Sequence, residues 1–285
     1  MNNRVFYACH AVAVDGNFVP GAQSVGMTTT FNLEPVFQLG QLQQMDTLSL
    51  APQVELTLTR VLEDSSGTIY SGKFEDMFEG ADTELCLSIG DDTSPLLTVP
   101  TSNIWCTGAG LTGVTYNFPV DGVFTEELTY LARGKLLNGC SVVAEKKLDS
   151  STTVKTRQFY NGGAPALVTS AGNLTNISIS TSPGRELMYK LGEYKAFHSY
   201  VNTPAEVTVE FEVTATGSDG FGIPDVESCS APDIPSQDIV LDICGTTFTM
   251  ENCKLSNITY GGGDTGGGNA TITFTYITWN SLEVA

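Results

Sequence analysis

Phe37-Gln38-Leu39-Gly40, followed by Pro52 and the alternating run Val54-Glu55-Leu56-Thr57-Leu58-Thr59, decides how this 285-residue chain is read. The same order returns as Tyr189-Lys190-Leu191-Gly192, then Pro204, then Val207-Thr208-Val209-Glu210-Phe211-Glu212-Val213. In both copies the proline stands twelve residues after the glycine, and the two glycines are 152 residues apart. Two further landmarks follow in order. Glu84-Leu85-Cys86-Leu87-Ser88-Ile89 reappears as Asp238-Ile239-Val240-Leu241-Asp242-Ile243, and Ser102-Asn103-Ile104 as Ser256-Asn257-Ile258, each 154 residues on. Ordered blocks at nearly constant separation are the mark of an internal repeat.

Each alternating run places Val54, Leu56 and Leu58, or Val207, Val209, Phe211 and Val213, on one face and Glu and Thr on the other, the pattern of a half-buried strand. Proline is tolerated at the start of such a strand and not in its middle. Asp15-Gly16 between apolar segments predicts a short hairpin near the N-terminus. Residues 41–51 read as a connection, Phe74-x-x-Met77-Phe78 as a short helix, and 217–237 as a loop. Gly108 to Gly113 and Gly261 to Gly268 read as glycine-rich hairpin tips. Twenty-nine glycines and many Thr, Ser and Val residues point to strands and turns. The expected fold is all-β with at most minor helix: two tandem β-sandwich or open-barrel units, residues 1–135 and 169–285, joined by a basic linker, 136–168. A chain of this length sits where single cores stop growing, which agrees with two units.

The net charge is −19, from 13 basic and 32 acidic residues, which argues against a protein that grips nucleic acid by its phosphates. The charges are segregated. Val201 to Ala285 holds Lys254 against twelve acidic residues, and Glu63 to Asp92 holds Lys73 against nine, whereas Arg133 to Arg157 holds six basic residues against two acidic. Self-association through opposite patches uses such segregation; a solvated charge run is the commoner reason for it. No apolar run has bilayer length and no export signal precedes the first strands, so the chain is expected to be made and kept in a cytosol. Seven cysteines at irregular spacing, with no CxxC pair, are expected to be free, mostly buried thiols.

The residues of catalysis are sparse. The two histidines, His10 and His198, occupy non-equivalent places in the repeat, and Cys9-His10 lacks further ligands at metal-site spacing. The tract 261–268 has no closing Lys-Ser or Lys-Thr for phosphate, and Asp91-Asp92 lacks the spacing of a calcium loop. The expectation is a non-enzyme with no cofactor and no metal.

The Phe/Tyr-x-Leu-Gly segment, the Pro-led strand of Val, Thr and Glu, and the closing Thr271-Ile272-Thr273-Phe274-Thr275-Tyr276 together resemble the tail tube proteins of tailed bacteriophages. The resemblance covers about residues 25–135 and 170–280. It implies a structural virion protein, assembled in the host cytoplasm, whose long hairpins form the inner β-barrel of a ring. Two fused units imply trimeric, pseudo-hexameric rings, with hexamers as the alternative. Stacked rings would make a negatively charged channel through which DNA is ejected without specific binding. Glu55, Glu210 and Glu212 are the candidate lumen-facing residues, and sheath, tape-measure and tail-terminator proteins are the implied partners, with no membrane insertion. Head-to-tail stacking is assigned to Lys146, Lys147 and Lys155 against Asp76, Glu79 and Asp82, on charge segregation alone. The rival readings are a capsid decoration protein, a tail terminator and a baseplate or sugar-binding module.

Overall fold

A computed structural model describes residues 10–63, 68–70, 72–73, 82–90, 102–140, 153–216, 234–243, 245–262, 269–280 and 282–285. Among the described residues nineteen strands run β1 (His10–Val14), β2 (Asn17–Phe18), β3 (Ala22–Thr30), β4 (Leu33–Phe37), β5 (Gln44–Ser49), β6 (Gln53–Val61), β7 (Gly72–Lys73), β8 (Thr83–Ile89), β9 (Ser102–Pro119) and β10 (Thr125–Leu137) in the first half. The second half holds β11 (Tyr160–Gly162), β12 (Gly172–Thr181), β13 (Arg185–Met188), β14 (His198–Val201), β15 (Val207–Ala215), β16 (Gln237–Ile243), β17 (Thr247–Gly261), β18 (Thr271–Thr278) and β19 (Leu282–Val284). One short α-helix, Ala166–Ala171, precedes β12. The fold is all-β and antiparallel, with no closed barrel among the described residues. No helix among the described residues is long and apolar enough to cross a membrane.

The main sheet runs β16-β17-β18-β15-β12-β9-β10-β6-β3. Its first-half order, β3-β6-β10-β9-β8, is matched in the second by β12-β15-β18-β17-β16. The match extends to irregularities. A bulge between Ala22 and Ser24 on β3 has its counterpart between Leu174 and Asn176 on β12. The β9 to β10 ladder shifts register at Thr129/Tyr130 as β17 to β18 does at Leu255/Asn257, and β8 shifts at Thr83/Leu85 as β16 does at Gln237/Ile239. Bulges bend and twist a strand locally, so repeating them repeats the curvature of the sheet.

These registers place Val54, Leu56 and Leu58 beside Val207, Val209 and Phe211 in equivalent positions, all buried, as the alternation predicts. They also move one landmark. Ile258-Thr259-Tyr260 stands where Val114-Thr115-Tyr116 stands, so Ser102-Asn103-Ile104 and Ser256-Asn257-Ile258 are not equivalent. Three further readings change. Gly108 to Gly113 lies inside the long strand β9 rather than at a hairpin tip, residues 44–49 form β5, and Cys86 is joined to Cys140 in a disulfide. The segments 74–78 and 217–233 lie outside the described residues.

One continuous core backs the sheet across both halves. Tyr116 meets Phe248 edge to face with centroids 4.9 Å apart, and Phe118 meets Phe248 at 5.4 Å and Phe124 at 5.1 Å. Phe248 comes from β17 and the other three rings from the first half, so aromatic packing couples the halves, each such pair adding about 1 kcal/mol beyond area burial.

Candidate functional site

The face of the main sheet turned away from the core is mostly polar, with Leu131 and Ile277 as apolar members. Directly paired residues share a face, so the registers can be read across the strands. Ser24, Thr59, Glu127, Thr115, Ser180 and Thr208 make one row crossing from β3 to β15. Asn117, Ser178, Glu210, Thr275 and Asn257 make the next, crossing from β9 to β17. The first row continues through Ile277 to Lys254 at the outer strand. Alternation builds this surface: most of these polar residues are followed by a core Val, Leu, Ile, Phe or Tyr, the exceptions being Thr59, followed by buried Arg60, and Ser180, followed by buried Thr181.

The sequence-derived candidates Glu55, Glu210 and Glu212 all lie on this face, at the same level as Thr28, Ser178 and Asn176 respectively. Glu127, which the repeat reading passed over, joins them through Thr59 and Thr115. The signal was present in Glu127-Leu128-Thr129-Tyr130, which alternates as the other strands do. Where the halves meet, Thr115, Glu127, Ser180, Glu206 and Thr208 line a shallow recess of about 330 Å³. Hydroxyls and carboxylates without a converging base, nucleophile or metal set make a wettable, anion-repelling surface.

The charges assigned to stacking fare differently. Lys155 is only 4% exposed, and its Nζ donates to Thr246 Oγ1 at 3.3 Å, so it is no surface contact: the Val154 and Thr156 bridges to Glu63 and Val123 hold its strand inside. Asp82 forms an ion pair with Arg133, which also donates from Nη1 to the Phe197 carbonyl at 2.5 Å. Asp76, Glu79, Lys146 and Lys147 lie outside the described residues. His10 opens β1 and His198 opens β14, in different sheets, and no group of three His, Cys, Asp or Glu residues suited to a metal occurs among the described residues. Burial pushes the free thiols of Cys106 and Cys253 up, to about 11 and about 12, which keeps them protonated.

Two small hairpins project from the sheet, β4–β5 and β13–β14. Their tips carry Leu39-Gly40 and Leu191-Gly192, with both leucines fully exposed. Gly40 and Gly192 have φ of +88° and +90°, a left-handed turn that glycine adopts without strain. The second hairpin is clasped to the first half: Arg185 Nε donates to the Leu111 carbonyl at 2.7 Å, and the Tyr194 hydroxyl donates to the Leu50 carbonyl at 2.8 Å.

No protein-family model matches the chain, and no curated protein does. Among solved structures, it is similar to the sheath/tube terminator of an extracellular contractile injection system (PVC) in the extended state, at 14% identity and a TM-score of 0.36, over 46% of this chain and 93% of that one. It is also similar to a chain of the sheath-tube complex of such a system, at 14% identity and a TM-score of 0.35, over 49% of this chain and 94% of that one. Both scores fall below the level at which two chains share a fold.

Proposed function

We propose that this chain is a non-enzymatic structural subunit of a phage-tail-like tube, two tube-type units fused in tandem that self-associate into rings. Three chains supply six units per ring, and stacked rings enclose a channel walled by the polar face. The observation that supports this reading is the repetition of strand order, registers and three bulges in two halves zipped edge to edge into one sheet. A unit that adds its own copy to its edge within a chain can do so between chains, and a closed ring removes the free edges that otherwise invite aggregation.

The polar face suits passage of DNA. Glu55, Glu127, Glu210 and Glu212 repel phosphate, while Thr and Ser hydroxyls hold water against the wall. The exposed leucine tips of the two hairpins are the stacking contacts of this scheme, joined by Lys146 and Lys147 against Asp76 and Glu79. In the virion, sheath, tape-measure and terminator proteins are the partners this role requires. Negative-stain microscopy of the purified chain tests it. Hollow rings or tubes are expected; discrete monomers at every concentration overturn it and favour a decoration or sugar-binding module.

A further inference from the structure

Within one chain, the halves join where β12 is added to β9: Thr181 faces Val114, Ile179 faces Tyr116 and Ile177 faces Phe118. The join buries what it covers, with Tyr116 and Ile179 both 0% exposed. Hairpin β13–β14 lies across it, Arg185 reaching the Leu111 carbonyl and Phe197 receiving Arg133.

Both surfaces of this join occur once more, at the two borders of the same sheet. β3 holds the place of β12, since each pairs with an equivalent strand through an equivalent bulge, and β17 holds the place of β9. Val25, Met27 and Thr29 therefore stand for Ile177, Ile179 and Thr181, and Ile258-Thr259-Tyr260 for Val114-Thr115-Tyr116. The residue types match, but among the described residues no further strand pairs with either border. Tyr260 is 58% exposed where Tyr116 is sealed, and Val25, Met27 and Ile258 are only partly buried. The clasp has its counterpart too. Leu33 and Met45 stand for Arg185 and Phe197, and Leu255 and Trp279 for Leu111 and Arg133. Leu33, Met45 and Trp279 are all exposed, on a chain whose net charge is −19. The β17 border thus carries exposed Tyr260 and Trp279, and the complementary β3 border carries exposed Leu33 and Met45, the marks of two matching docking surfaces.

We infer that β17 pairs antiparallel with β3 of a second copy of this chain in the register of the internal join. Thr29 of the incoming copy then faces Ile258, Thr28 faces Thr259, Met27 faces Tyr260 and Gly26 faces Gly261, while its β4–β5 hairpin closes over Leu255 and Trp279. The occupant is another copy because the two complementary borders belong to one chain, which makes the contact head to tail and able to close into a ring. Where the internal clasp uses Arg185 and Arg133, this one uses Leu33 and Trp279, an apolar contact that the acidic chains can form without adding charge to charge. The inference rests on the tube reading and fixes its lateral contact residue by residue.

Cysteine pairing tests the register. The double variant Thr28→Cys with Thr259→Cys, mildly oxidised, is expected to give interchain disulfides on a non-reducing gel, with a ladder ending at the closed ring. Each single variant, and Thr30→Cys with Thr259→Cys two residues out of register, is expected to give none. Cross-links confined to the out-of-register pair, or none from either pair while micrographs still show tubes, overturn the register and leave the tube reading standing. A chain that stays monomeric and forms no rings overturns both. Trp279→Glu checks the clasp: retained melting behaviour with loss of rings supports it, and unchanged rings overturn it.

Discussion

Arg60 and Glu126 meet inside the first half at 2.6 Å, with 2% and 0% of their side chains exposed. Glu126 also accepts the Ile69 N–H at 3.2 Å, which ties the chain beyond β6 to the core. The equivalent positions of the second half are Val213 and Ile272, paired in the same register. One slot in the fold thus holds an ion pair in one copy and two aliphatic side chains in the other. Removing one member strands a buried charge, at a cost of about 3–5 kcal/mol, whereas replacing both by apolar groups is often neutral. Glu126→Gln is therefore expected to lower unfolding stability by about 3 kcal/mol or more in urea titrations. The double change Arg60→Val with Glu126→Ile is expected to recover most of that loss. A double variant no more stable than Glu126→Gln would show that the Ile69 anchor, not the charge balance, sets the cost. Tyr116 and Tyr130, whose hydroxyls burial pushes well above their usual range, with the charge of Glu126 acting the same way, share this pocket and stay protonated.

Among the elements, the strands with one wet face and one dry face were legible. Val54 to Thr59 and Val207 to Val213 could be read because every second residue answers to the core, and Glu55, Glu210 and Glu212 reached the polar face by that logic alone. The glycines of β9 could not be read so. Gly108 and Gly110 look like turn residues, yet a side chain at Gly108 would run into Arg133 and one at Gly110 into Arg185. Gly110 is small because an arginine from elsewhere lies on it, and Gly108 has in addition a left-handed φ of +61°, demands invisible in local spacing. The disulfide between Cys86 and Cys140 was equally hidden, since partners 54 residues apart carry no local signature. The clasp gives an element-scale prediction. Gly110→Val is expected to displace Arg185, costing about 1–3 kcal/mol and raising amide exchange across residues 185–201 more than across β15. Uniform loss of protection in both would place the role of Gly110 in the sheet itself.

At the scale of the molecule, charge and shape pull against each other. Each chain carries −19, and a ring would gather Glu55, Glu127, Glu210 and Glu212 from every copy around one bore. Such a wall repels itself as well as DNA, so ring formation must draw on apolar contact and strand pairing, with electrostatics opposing it. Salt then discriminates between two ways of holding the assembly together. Raising NaCl from about 0.01 M to about 1 M shortens the screening length from about 30 Å to about 3 Å. If the exposed leucine, tyrosine and tryptophan surfaces drive association, screening removes the opposing term, and light scattering should show assembly at lower protein concentration in high salt. If oppositely charged patches such as Lys146 and Lys147 against Asp76 and Glu79 dominate, the same titration should dissolve the assembly. The geometry favours the first outcome, because Lys155 is buried and Arg133 and Asp82 already satisfy each other within the chain.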